Sequence, residues 1–239
     1  MKVDVAFLPK DITQGDLSGT VCIVLDIFRA TTSIVTAMAN GCEAIIPVVS
    51  LEKAHEAAKK LGTVLMAGER KSIKIDGFDF GNSPFEFSSD KVKNQQIVMT
   101  TTNGTIAIHA ATGAFYTLIG SFNNAEAVCR KAQAYGKNIL IVCAGTDHTF
   151  SLEDSLCAGL LVEILSSSGQ HKVELNDSAR GAWVMYQAAK DHVVDVAIQS
   201  RNGQRLVELA KESEVEYCLR KNIVNVVPAY KDHRIVLTE

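Results

Sequence analysis

Residues 21–38 read VCIVLDIFRATTSIVTAM. Five apolar residues run into Asp26, Arg29 follows two apolar residues later, and Thr31, Thr32 and Ser33 precede a second apolar stretch. A run that is apolar on both faces, as at 20–26, predicts a strand buried centrally in a parallel sheet. A helix expected from Thr32 or Ser33 to about Asn40, with Gly41 placed for its C-terminal cap, supplies the next part of a βαβ unit. The carboxylate, the guanidinium and the hydroxyls then stand at a strand's carboxyl end, where open α/β sheets bind ligands.

The same alternation continues outward. β-rich runs at 3–8, 43–50, 63–69, 96–100, 115–120 and 138–145 are interleaved with helical patterns at 51–62, 105–111, 123–136 and 151–165. This is the signature of a three-layer α/β/α fold around a largely parallel or mixed sheet. Pro47 lacks an N–H and pushes its strand toward an edge or a bulge, while Ser50 and Gly62 mark the start and stop of the helix between them. Helices dominate from Asn176 to about Lys221, and IVNVVPAY and RIVLTE close the chain as strands. The chain reads as one α/β unit over 1–239, with any subdomain boundary near Ser168.

Composition narrows the function classes. A chain of 239 residues with 47% hydrophobic content can bury a sizeable core. Its net charge of −3 offers no basic stripe, which argues against nucleic acid. No apolar run approaches the ~20 residues needed to span a bilayer, and Asp4 interrupts the N-terminal apolar segment, so the expectation is a cytoplasmic protein without a membrane partner. The six cysteines never form Cys-x-x-Cys and fall mostly in apolar runs, so they read as reduced core residues. A homodimer fits an α/β enzyme of this size.

Four strand ends carry polar signatures: LDIFRATTS, GERKS, TTTNGT and CAGTDHTFSLEDS. Together they supply the carboxylates Asp26, Glu69, Glu153 and Asp154, the guanidiniums of Arg29 and Arg70, and the small polar set Thr31, Thr32, Thr101, Thr102, Asn103, Gly104 and Thr105. Carboxylates suit a hard cation such as Mg²⁺, and arginines with free N–H groups suit a phosphate or sulfonate. The segment at 76–87 adds Asn82 and Ser83 in a stretch long enough for a lid or substrate loop. Structural readings stand beside these: Asp26 as a turn cap, Thr-Asn-Gly-Thr as a tight turn, Ser151 with Asp154 as a capping box, and Arg70 and His148 as solvated surface groups. No P-loop and no Gly-x-Gly-x-x-Gly is present. Position 28 is Phe where an Asp-x-Asp phosphatase needs its second acid, and Cys143 has Thr149 where a cysteine phosphatase needs arginine.

The order and spacing of LDIFRATT, GER with GFDFGNSP, TTNGT, and CAG with LEDSLCAG resemble the 2-phosphosulfolactate phosphatase family, over about residues 20–160. The resemblance implies an α/β enzyme that hydrolyses (2R)-2-phospho-3-sulfolactate with Mg²⁺, in coenzyme M biosynthesis. On that reading the strand-end clusters lead to the expectation that Asp26, Arg29 and Glu153 are catalytic and that Asp26 with one or more of Glu69, Glu153 and Asp154 holds the metal. Phosphate would lie on Arg29 and the Thr-Thr-Asn-Gly-Thr stretch, and the sulfonate or carboxylate on Arg70, Asn82 and Ser83. A phosphatase of another small phospho-hydroxy acid and a non-catalytic anion sensor are the alternatives. Whether Asp26 attacks phosphorus or orients a water is left open by the sequence.

Overall fold

The computed structural model describes residues 1–12, 17–167 and 172–238. The boundary expected near Ser168 lies outside them. The strands are β1 (Lys2–Ala6), β2 (Thr20–Leu25), β3 (Ala44–Pro47), β4 (Leu65–Arg70), β5 (Ile73–Lys74), β6 (Gln96–Thr100), β7 (Tyr116–Gly120), β8 (Asn138–Cys143), β9 (Glu174–Leu175), β10 (Pro228–Lys231) and β11 (Arg234–Leu237). The helices are α1 (Ala30–Ala39), α2 (Leu51–Leu61), α3 (Ser89–Val92), α4 (Gly104–Ala110), α5 (Ala125–Ala134), α6 (Leu152–Ser167), α7 (Asp177–Ala189), α8 (Val193–Ala197), α9 (Arg201–Glu208) and α10 (Glu212–Cys218).

The doubly apolar run does become the centre of a parallel block. β2 pairs in parallel with β7 on one side and β8 on the other, and Val21 through Leu25 are fully buried. Its two faces feed different layers: Val21, Ile23 and Leu25 pack with α5, α6 and α7, while Cys22 and Val24 pack with α1 and α4. α1 begins at Ala30, earlier than expected, and ends before Gly41, whose φ of +87° is a conformation that glycine adopts freely. Ser50 caps α2 by accepting from the Lys53 N–H, and the six cysteines are free and buried.

The sheet order is β5-β4-β6-β3-β11-β10-β7-β2-β8-β1-β9. The β10–β11 hairpin is antiparallel to both neighbours, so the parallel block β3, β6, β4 enters the ladder reversed relative to β7, β2, β8, β1. Sheet twist of roughly 20–25° per strand, accumulated over six steps from β2 to β4, turns that block back by about 120–150°. Both blocks share one core cluster with α1 and α4, and residues at the carboxyl ends of β2, β4 and β6 come together on one side. Pro47 is a departure from expectation. β3 lies inside the sheet between β6 and β11, and Pro47 is tolerated because it is the strand's last residue, with the ladder continued by the Val48 N–H to Met99 O. Among the described residues no helix is long and apolar enough to cross a membrane.

Candidate active site

The turn after β2 is held by its own sequence. The Thr31 hydroxyl accepts from the Asp26 N–H at 2.9 Å and donates to the Asp26 carbonyl, and the Thr32 hydroxyl donates to the Ile27 carbonyl. Both hydroxyls are buried and engaged with backbone, so they shape the loop that presents Asp26. The Asp26 carboxylate accepts weakly from the Ala30 N–H at 3.4 Å and opens into a narrow polar cleft of about 20 Å³.

Asp26, Arg29, Glu69, Asn82, Thr102 and Asn103, all singled out in the sequence, line that cleft. Phe28, Ser72, Asn202 and Arg205 line it as well. Glu69 Oε1 accepts from the Thr102 N–H and hydroxyl, each at 2.9 Å, and its Oε2 accepts from the Ser72 N–H at 2.7 Å. These bonds tie the end of β4 to the end of β6. Gly104 opens α4 against Asp26: a Cβ there would lie 2.6 Å from Ala30 Cβ and 2.8 Å from Asp26 Oδ2, which excludes any side chain.

Asp154 has a different task from its neighbours. Its oxygens accept from the Ile27 N–H at 2.8 Å and the Gly145 N–H at 3.1 Å, stitching the β2 loop to the β8 loop. Ser151 caps α6 through the Asp154 N–H, so half of the expected capping box is present. Glu153 is buried beside Ser151 and Ser200, close enough to Asp26 for their charges to interact. Burial, then the Glu69 carboxylate, push Asp26 up to about 7, with Glu153 adding to the shift and the Ala30 N–H and Arg29 opposing it. Burial raises Glu153, and burial with the Glu153 and Asp26 charges holds Asp154 well above the ordinary carboxylate range.

The remaining positions fall around this centre. Thr101 and Thr105 bond to each other across the first turn of α4. Ser83 starts a short 3₁₀ turn in a reciprocal bond with Glu86 and stays outside the cleft lining. Arg70 donates to the Glu69 carbonyl and to Thr100 Oγ1, and is exposed beside the cleft. His148 is an exposed loop residue with φ of +60°. Arg29 is buried, with Nη1 2.5 Å from Glu214 and Nη2 donating to the Ser72 carbonyl at 3.0 Å.

Sequence reasoning missed the C-terminal contribution altogether. α9 supplies Asn202, whose amide donates to the Phe28 carbonyl, and Arg205, while α10 supplies Glu214. Asn202 is separated from Phe28 by 174 positions and Glu214 from Arg29 by 185, and neither stretch carries a local motif.

The donor set fits a hard divalent cation. Asn82 Oδ1 and Asn202 Oδ1 are buried without a hydrogen-bond partner among the described residues, and both residues line the cleft with Asp26 and Glu69. Oxygen donors of this kind suit Mg²⁺. Among the described residues no three acidic, histidine or cysteine side chains form a ready metal centre. Mg²⁺ commonly takes one or two carboxylates and keeps its other positions for water and substrate oxygens.

A mixed α/β sheet with carboxylates, amides and guanidiniums gathered at its strand ends defines an α/β protein built around a polar strand-end cleft. Comparison with known proteins gives the family. The 2-phosphosulpholactate phosphatase family model matches residues 6–233. A Clostridium acetobutylicum protein described as "probable 2-phosphosulfolactate phosphatase" is 38% identical over 237 residues, covering 99% of this chain and 100% of its own. A Clostridium botulinum (strain Eklund 17B / Type B) protein with the same description is 37% identical over 238 residues, covering 99% of both chains. The chain belongs to the 2-phosphosulfolactate phosphatase family.

Proposed function

We propose that this chain is a Mg²⁺-dependent phosphatase that hydrolyses (2R)-2-phospho-3-sulfolactate to 3-sulfolactate and phosphate. The observation that carries the reading is the charge arrangement of the cleft in a member of this family. Asp26 and Glu69 face a space whose buried Arg29 is already matched by Glu214. A substrate bearing phosphate, sulfonate and carboxylate enters such a space only with a cation that offsets those carboxylates.

Asp26, Glu69 and Glu153, with the amide oxygens of Asn82 and Asn202, are the groups that would hold Mg²⁺, and Asp154, next to Glu153 on α6, fixes the loop that carries Asp26 to the loop after β8. The ion supplies charge neutralisation at the phosphoryl oxygens. Thr102 and Asn103 border the space for the phosphoryl group. Asp26 is the carboxylate at the centre of the cleft, and it acts there as nucleophile or as the base that orients water. Gly104 keeps the wall beside it free of side chain.

The test is phosphate release from racemic 2-phospho-3-sulfolactate, 2-phospholactate and 3-phosphoglycerate, with Mg²⁺ and then with EDTA. Release that requires Mg²⁺ and favours the sulfonate is the expected result. Equal release from all three would replace the reading with a general phosphatase, and tight binding without release would replace it with an anion sensor.

A further inference from the structure

Of the guanidiniums near the cleft, Arg29 is buried and Arg70 is exposed and outside the cleft lining, and the terminal nitrogens of both already have partners. Arg29 is sealed against Glu214 and the Ser72 carbonyl, and Arg70 serves the Glu69 carbonyl and Thr100. Arg205 differs. It lines the cleft, its side chain is 27% exposed, and its one described partner is Asp147 Oδ2 at 3.1 Å, itself 36% exposed. Asp147 Oδ2 also meets Arg201 at 3.3 Å, so one carboxylate oxygen is shared by two arginines. Exposed pairs of this kind are weak and exchange easily, whereas a buried pair such as Arg29 with Glu214 does not.

Arg205 is also well supported. Asn202, one turn earlier on α9, anchors that helix to the Phe28 carbonyl, and the Asp147 N–H donates to Asn103 Oδ1 at 3.3 Å. The helix carrying the guanidinium and the loop carrying its stand-in partner are therefore both fixed to the cleft wall.

Resting on the phosphatase reading above, we infer that Arg205 is the specificity residue that takes the substrate's sulfonate, exchanging Asp147 for it when substrate binds. Of the substrate's anions, the phosphate and the carboxylate are the better ligands for a hard cation. The weakly basic sulfonate is left for a guanidinium, whose planar fork matches its oxygens.

The experiment compares wild type with Arg205→Met and Arg205→Lys on 2-phospho-3-sulfolactate and on 2-phospholactate, which has a methyl group in place of the sulfomethyl group. Calorimetric binding of 3-sulfolactate and of lactate is measured in parallel. Losing a charge-assisted pair predicts that the selectivity for the sulfonate substrate, as a ratio of kcat/KM values, falls on the order of 10- to 100-fold in Arg205→Met. The change resides in KM, and Arg205→Lys recovers part of it. A loss that scales both substrates equally, or an unchanged ratio, overturns the assignment. If wild type releases no phosphate, the phosphatase reading fails by itself, and binding then decides. A 3-sulfolactate affinity that drops in Arg205→Met while lactate affinity holds supports the sulfonate site, and equal or absent binding of 3-sulfolactate overturns it.

Discussion

Replacing Asp26 with asparagine should stabilise the metal-free protein while abolishing its activity. The folded state holds the Asp26 carboxyl at about 7 against an ordinary 3.8, because the site is buried and Glu69 and Glu153 are close. A carboxyl raised on folding makes the folded state bind more protons than the unfolded state, so its unfavourable contribution grows as pH rises from 3.8 toward 7 and is complete above 7. At 1.36 kcal/mol per pH unit, that difference is on the order of 4 kcal/mol at pH 8. Asparagine removes the charge, and its amide N–H groups can donate to the neighbouring carboxylates. The expected gain is therefore roughly 2–4 kcal/mol at pH 8 in EDTA, shrinking below about 1 kcal/mol at pH 4, where the wild-type carboxyl is protonated in the folded state and only about half ionised in the unfolded one. Urea denaturation followed by circular dichroism at the two pH values measures it. A variant no more stable than wild type at pH 8, or a gain independent of pH, would refute the account of the cleft as a set of mutually repelling carboxylates. Saturating Mg²⁺ should stabilise wild type, by about 2.7 kcal/mol at one hundred times its dissociation constant, and should have much less effect on the variant.

Two further substitutions probe the frame around Asp26. Glu214→Ala leaves Arg29 buried without its carboxylate and should cost about 3–5 kcal/mol, seen as a lowered thermal midpoint. Gly104→Ala forces a methyl group to within 2.6 Å of Ala30 Cβ and 2.8 Å of Asp26 Oδ2, so α1 and α4 must separate. That overpacking should cost about 1–3 kcal/mol in denaturation and a larger factor in kcat, because the displaced group is Asp26 itself.

The parts of the fold that could be read from sequence are those set by local pattern. Val21 through Leu25 announce a central strand because no polar residue interrupts either face, and the carboxyl-end rule then brings Asp26, Glu69, Thr102 and Asn103 together. The rule held although β4 and β6 lie in a block that enters the ladder reversed. Pattern alone could not show the hairpin β10–β11 inserted between the two blocks, since strand propensity says nothing about position in a sheet. The hydroxyls of Thr31 and Thr32 illustrate another limit. Their residue types suit a phosphate cradle, but a threonine five residues beyond a carbonyl of the turn also reaches that carbonyl, and here the local bonds win.

The contribution of the C-terminal helices follows from an electrostatic requirement. The strand ends supply a surplus of carboxylate, and a buried arginine beside them needs an anion of its own. Arg29 finds it in Glu214, from a helix that could be supplied only by a later part of the chain folding back. The same return brings Asn202 to the Phe28 carbonyl and Arg205 to the cleft, so the contact that neutralises Arg29 also carries in the guanidinium left available for an anion. Loss of Glu214 should therefore damage more than stability: with α10 released, α9 loses a support, and binding of the sulfonate-bearing ligand should weaken even where the carboxylates remain intact.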